Sequence, residues 1–388
     1  MSITSTNFTD LSYIKEIIPG TTPDTPAFQL LPTTGGGPVG GLTTAVSEEI
    51  RADRQTDDLV VVDAEIGGST NYELTYIPYK PLIISLMQND LISASTSASD
   101  ISTTANAFLT AGGDFVADGY IVGGYIHVSG FSGPENNGVF LITAVATSQI
   151  EVAETLAIES AGVPVVISLT TVRNGAQSQP DSYTFLKRVG GIDNLAYFYY
   201  NGMQISQMTF NFATGSILNG TFDLIGFTET VTETEIVGQT IVDIPAHALM
   251  NSVSSITKID IVGLSVTTEF ESLNLTINNN INAAKAIGTL GAVDLASFTL
   301  DVTGDINLYF EDIATYDKFK AADSFSLAIT LEDSGGNIMI VSMPKVKFET
   351  LESPVDGKDN FLFQAGTMRA LRDATNNYMV QFDFFDAP

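Results

Sequence analysis

Val46-Ser47-Glu48-Glu49-Ile50-Arg51-Ala52-Asp53-Arg54 opens the stretch whose reading decides the fold, which continues through Asp63 and the pair Gly67-Gly68 to Leu86. Its first part is an extended arm dense in charge. From Ser69 to Tyr76 the residues alternate, with Tyr72, Leu74 and Tyr76 on one side and Asn71, Glu73 and Thr75 on the other, which is the period-2 pattern of a half-buried strand. The period then changes. Tyr79-Lys80-Pro81 introduces Leu82, Ile83, Leu86 and Met87, spaced to share one face of a helix, with Pro81 suited to a first turn.

The same order of parts recurs between Ile277 and Phe319. Asn278-Asn279-Asn280-Ile281-Asn282-Ala283-Ala284-Lys285 leads to Val302-Thr303-Gly304, a strand over Asp305–Phe310, and Tyr316-Asp317-Lys318-Phe319 where Tyr79-Lys80-Pro81-Leu82 stood. Beyond the helix, Tyr197–Tyr200 and Ile205–Phe212 parallel Ile338–Val341 and Val346–Phe348, and the closing strands are Thr221–Phe227 and Asn360–Gly366. An offset this long makes the repeated unit a whole domain rather than a solenoid turn. The expected architecture is therefore mainly β, with two tandem sandwich or barrel domains, each flanked by a short α-helix.

Three further segments complete the plan. Residues 1–27, broken by Pro19-Gly20, Pro23 and Pro26, read as an N-terminal arm; 28–245 is the first domain and 246–388 the second. Ser93–Asn106 is Ser/Thr/Ala-rich and reads as a solvated connector. Beyond it, 107–160 reads as a small inserted β-barrel of short strands around Phe115, Tyr120, Tyr125, Phe140 and Ile150, with Asn137-Gly138 as a tight hairpin turn.

The 388 residues carry a formal net charge of -29, from 45 acidic and only 16 basic residues. Scarcity of bases causes the imbalance: no Lys or Arg occurs from Pro81 to Val172, nor from Val189 to Thr257. Such a chain does not grip nucleic acid, because phosphate binding relies on Lys and Arg, yet it can face DNA without adhering. No long apolar run spans a membrane.

Chemistry is sparse. With no cysteine and two histidines, His127 and His247, Cys/His zinc sites are excluded and neither histidine stands in a catalytic context. No catalytic, metal or cofactor residue is expected, and the chain is expected not to be an enzyme. The charged arm is the exception. Glu48, Glu49, Asp53, Asp57 and Asp58 surround Arg51 and Arg54, and arginine's fork suits ion pairs with a neighbouring subunit. Asn278, Asn279, Asn280 and Lys285 hold the matching places in the second half.

The sequence resembles the major tail tube proteins of long-tailed (siphovirus-type) bacteriophages. The resemblance rests on the Ser47–Gln55 arm, Gly68-Ser69 with the strand to Leu74 and Tyr76, Tyr79 and Leu82 of the helix, and in the second half on Leu275–Asn280, Val302-Thr303-Gly304, Tyr309-Phe310, Met343–Val346 and Gly357-Lys358-Asp359. It covers roughly 28–388 apart from the insert. It implies a structural virion protein in the phage tail, assembled in the host cytoplasm and self-associating into stacked rings that conduct DNA through an acidic lumen without specific binding or membrane contact. The implied partners are other copies and the tape measure, tail terminator and tail tip proteins. The family usually presents one tube fold per chain in a hexameric ring. Two folds per chain instead favour a trimeric, pseudo-hexameric ring, with a hexamer as the alternative. The competing class is a surface adhesin or carbohydrate-binding protein that uses the insert.

Overall fold

The computed structural model describes residues 3–177, 180–191, 195–244, 247–264, 270–311, 313–355 and 357–387. The 245/246 boundary between the two expected domains therefore lies outside the described residues. In chain order the elements are β1 (Thr9–Lys15), β2 (Ala27–Leu31), β3 (Gly35–Gly36), β4 (Val39–Val46), β5 (Leu59–Glu73) and helix α1 (Tyr76–Leu86). Next come β6 (Ile92–Ala98), β7 (Ser102–Thr103), β8 (Ala107–Leu109), β9 (Tyr125–Ser129), β10 (Gly138–Ala146), β11 (Gln149–Val152) and β12 (Val165–Arg173). They are followed by β13 (Tyr183–Val189), β14 (Ala196–Ala213), β15 (Asn219–Gly226), β16 (Thr228–Thr232), β17 (Thr240–Val242), β18 (Ile256–Val262) and β19 (Phe270–Asn278). The chain closes with β20 (Asn282–Lys285), β21 (Ala292–Ala296), β22 (Asp301–Tyr309), α2 (Ala314–Ala321), β23 (Phe325–Glu332), β24 (Ile338–Glu352), β25 (Phe363–Ala370) and β26 (Gln381–Phe385).

Two compact units are built from interleaved spans, the first from Met1–Leu86, Gln177–Leu249 and Ser272–Asp305, the second from Met87–Ala176, Met250–Glu271 and Ile306–Pro388. In the first unit the long strand β14 serves two layers. Its opening half pairs with β13 and β16, and its closing half with β15 and β19. Between the layers, Tyr72, Tyr79, Phe185 and Phe222 form one aromatic core, with the Tyr72 and Tyr79 rings 4.6 Å apart and Phe222 within 6.4 Å of the other three. Helix α1 drives Leu82, Ile83 and Leu86 into the interior. Pro81 sits inside this helix rather than in its first turn, so one backbone bond is forgone where packing already holds the segment.

The leader is not an arm over its whole length. From Thr9 to Lys15 it is β1, in register with β13 from Val189 to Tyr183. Glu16 then enters the core and accepts hydrogen bonds from Ser182 Oγ, Thr184 Oγ1 and the N–H groups of Gly202 and Gly20, at 2.7–2.9 Å. A buried carboxylate with four donors binds this segment firmly, which prolines alone do not reveal.

In the second unit, Ser93–Asn106 is not a linker. Its first half is β6, paired over seven positions with β12, and Ala94 and Ile101 join the insert's core. That core gathers Phe108, Phe115, Ile126, Phe140, Ile150, Ile167 and Leu169, so the module extends into strands on both sides of 107–160. Asn137-Gly138 is no two-residue turn either: Asn137 ends a longer loop, its side chain bonded to the backbone of Phe131 and Gly133, and Gly138 opens β10.

Strand for strand, the two units repeat one meander. Tyr183 faces Met203 and Phe325 faces Val346; Ile205 faces Leu224 and Phe348 faces Met368; Tyr197 faces Thr232 and Ile340 faces Asp383. Both copies carry a bulge between the first and third residues of the β13 and β23 pairings, and another just after Ile205 and Phe348. Because a bulge inserts one unpaired residue and re-aims the strand, two bulges at matched places mark one shared geometry. The alignment differs from the sequence parallel by two residues, since Ile205 corresponds to Phe348 and not Val346, and the closing strand β25 starts at Phe363 rather than Asn360. Ahead of the helices the match continues: Leu74 N–H donates to Leu218 O at 2.8 Å, and Phe310 N–H to Leu362 O at 2.9 Å.

Candidate assembly surface

Strands β4 and β5 form a long hairpin exposed from Val39 to Val62 over nearly its full length. Leu59, Val60, Val61 and Val62 are 57%, 50%, 49% and 55% exposed, so both faces of the ribbon are apolar and bare. A two-stranded ribbon in water is marginal by itself, and uncovered aliphatic residues on both faces mark a binding surface. Sequence reasoning fixed on the charged tip and passed over these residues, although four consecutive aliphatic residues without alternation signal a strand wanted on both sides.

The tip holds Glu48, Glu49, Arg51, Asp53, Arg54, Asp57 and Asp58, all exposed, and Ser47 N–H closes it by donating to Asp58 O at 2.9 Å. Arg51 directs its fork inward. Nη1 meets Asp57 Oδ1 at 2.5 Å, while Nε and Nη2 clasp the Asp53 carboxylate at 3.2 Å each. The Arg51 guanidinium holds the Asp53 carboxyl below its usual range. Arg54 turns the chain in the left-handed region, with φ of 60°.

The second-half residues have different tasks. Asn279 is buried; its amide donates to Leu86 O, the last carbonyl of α1, at 2.8 Å, and its own N–H donates to Ser206 O at 2.8 Å. Asn278 lies in register with Gln207 and accepts from Asn280 N–H at 2.7 Å, and Asn280 turns the chain at φ 49° while its amide reaches Thr299 O at 2.7 Å. Together they seat β19 on β14. Lys285 reaches back to the first hairpin, contacting the Asp63 carboxylate and, at 3.1 Å, Glu65 Oε1. Those contacts raise the Lys285 ammonium above and lower the Asp63 carboxyl below their usual ranges.

Elsewhere, the His127 ring lies 5.7 Å from that of Phe385 at a tilt of 36°, and burial lowers its pKa. Among the described residues no three His, Cys, Asp or Glu side chains gather as metal ligands, and no helix is long and apolar enough to cross a membrane. The insert's aromatic rings Phe108, Phe115, Tyr120, Phe131 and Phe140 are all buried in its own core, so they present no platform to a sugar.

The chain is a mainly β protein of repeated meanders that carries a bare, double-faced hairpin. The family model for the phage tail tube protein matches residues 7–370, and the chain belongs to that family. It is a structural component of the phage tail. No curated protein matches the chain.

Proposed function

We propose that this chain associates with copies of itself into rings that stack as the tail tube and conduct DNA. The observation that carries the reading is the β4–β5 hairpin, apolar on both faces and exposed over most of its length. A ring covers such a ribbon and removes sheet edges, whereas a monomer leaves both to water. Two repeats of one meander per chain favour three chains in a ring of six folds, with six chains as the alternative. With -29 on each chain, a ring of three carries 3 × -29 = -87 formal charges. Carboxylates facing the lumen repel the phosphate backbone, so DNA slides without being held. The tape measure, terminator and tip proteins are the partners at the ends, and no catalysis is involved.

Arg54, Glu48 and Glu49 at the tip are proposed to meet the neighbouring copy, Arg51 acting by shaping the loop. The test is light scattering and negative-stain microscopy of the purified chain, which are expected to show rings or tubes. A species that stays monomeric at high concentration overturns the reading.

A further inference from the structure

We infer that the joint between copies is built on the pattern of a joint already present inside the first unit, with the closing half of β24 from one copy receiving β4 of the next as an antiparallel strand. This rests on the assembly reading above and adds which edges meet, in which direction and in which phase.

Within the first unit β19, the strand that opens the second repeat, adds to the closing half of β14, from Gln207 opposite Asn278 to Ala213 opposite Ser272. Asn279 N–H to Ser206 O at 2.8 Å continues this ladder. The Thr209 carbonyl faces the other way and accepts from Tyr72 Oη at 2.8 Å, so Met208, Phe210 and Phe212 are the residues whose backbone groups point into the joint.

The counterpart of that half of β14 is β24 beyond its bulge, with Thr350 at the place of Gln207 and Leu351 at that of Met208. One side of this segment pairs with β25; among the described residues no strand covers the other. Lys345 O accepts from Leu371 N–H at 2.8 Å, and the bulge after Phe348 shifts the phase so that Thr350 faces β25 and Leu351 faces outward.

The counterpart of β19 is β4, the strand that opens the first repeat. It pairs with β5 along one edge, and the other carries no strand among the described residues. Ser47 and Gly37 donate their N–H groups toward β5, to Asp58 O and Ser69 O, so Gly40, Leu42, Thr44 and Val46 turn theirs outward. The bare edge of β24 beyond its bulge is short, Thr350–Glu352, and β4 runs from Val39 to Val46; the two edges are homologous to two that are joined and match in direction and phase. An edge left open on each would invite indiscriminate pairing.

Because the chain has no cysteine, the phase can be read by engineered disulfides. In an antiparallel joint the closest Cβ atoms belong to opposed residues whose backbones turn away from it, Cα atoms about 4.5 Å apart, within reach of a disulfide. Thr350→Cys combined with Thr43→Cys or Gly41→Cys is expected to cross-link assembled full-length chains into dimers and closed rings on a denaturing gel. Thr350→Cys with Leu42→Cys, out of phase, is expected to give at least tenfold less. Gln207→Cys with Asn278→Cys is expected to close within one chain, which shows that the chemistry works in a folded protein. Rings that form but cross-link only in the out-of-phase pair, or in none, overturn the joint while leaving assembly standing. Failure of the unmodified chain to associate at all overturns both.

Discussion

Strands β16 and β26 occupy the same place in the two meanders, yet their surroundings are opposite. β16 pairs with the opening half of β14 and is largely exposed, whereas β26 pairs with the opening half of β24 and is buried at every residue. The cause is the insert. In the second unit β12 adds to β26, Thr171 opposite Asp383, and Tyr125, Val139 and Leu141 of the insert pack on Ile338, Ala328, Ile340 and Phe385. One backbone geometry thus accepts either an open flank or a covered one, depending on which side chains the adjoining segment supplies. Where Thr232 meets water, its counterpart Asp383 is a fully buried carboxyl, accepting from Tyr125 N–H at 3.2 Å and Gln381 Nε2 at 2.8 Å. Gln381 in turn holds Gly123 O and receives Arg173 Nε, which fastens the turn before β9 to the sheet.

The most damaging way to break this comparison is to remove the cover. A separately folded barrel on a linker would be dispensable, but replacing 107–160 by a short Gly/Ser loop strips Phe108, Phe140 and Ile150 from the shared core and uncovers Ile340 and Phe385. Cooperative unfolding of the second unit is expected to be lost in calorimetry, and an unchanged transition would show that the insert is an appendage after all. Next in size is Phe222→Ala in the first unit. It empties the centre of the aromatic core and is expected to cost about 3–5 kcal/mol in denaturant titration. Its counterpart in the second meander is Gly366, where a Cβ would lie 2.2 Å from Thr350 O, so Gly366→Ala is expected to destabilise through overpacking instead.

A third test uses pH. Burial pushes the Asp383 carboxyl up to about 7, above its ordinary value of 3.8. A folded-state pKa raised above the unfolded one means that ionisation opposes folding. The contribution of this carboxyl to stability is therefore fully present below about pH 4, falls as pH rises toward 7, and is then constant, the loss being on the order of a few kcal/mol. Asp383→Asn keeps the acceptor for Tyr125 N–H and is expected to raise the melting temperature at pH 8 and flatten the slope between pH 4 and 7. An unaltered slope would place the titrating group elsewhere. The smallest expected effect is Lys285→Met: its partners Asp63 and Glu65 are solvent-accessible, so the melting temperature should stay within error at moderate salt. A clear drop would mean that the second hairpin depends on this contact.

Much of the fold is legible from alternation. Tyr72, Leu74 and Tyr76 predict a buried face and are buried. The repeat itself was legible in order, though not in register, because a bulge shifts pairing by one residue without changing the hydrophobic pattern around it. Ser93–Asn106 reads as a linker because alternating Ser, Ala and Thr bury little apolar area, and only the partner strand β12 supplies the ladder that makes it a strand. The charged tip is marked by its composition, while the edge at Leu351 carries no compositional mark: whether a strand edge is free depends on which strands lie beside it.

The sequence by itself determined the mainly β character, the doubled order of parts, the shortage of bases and the absence of thiol chemistry, because these follow from residue types and local periodicity. Only the tertiary structure decided that Glu16 is an internal carboxylate, that the Asn278–Asn280 run caps a helix and seats a strand, that Arg51 spends its donors inside its own loop, and that the insert is fastened to β26. Each of these depends on contacts between residues far apart in the chain, and a hydrogen-bond partner supplied from scores of residues away leaves no trace in local pattern.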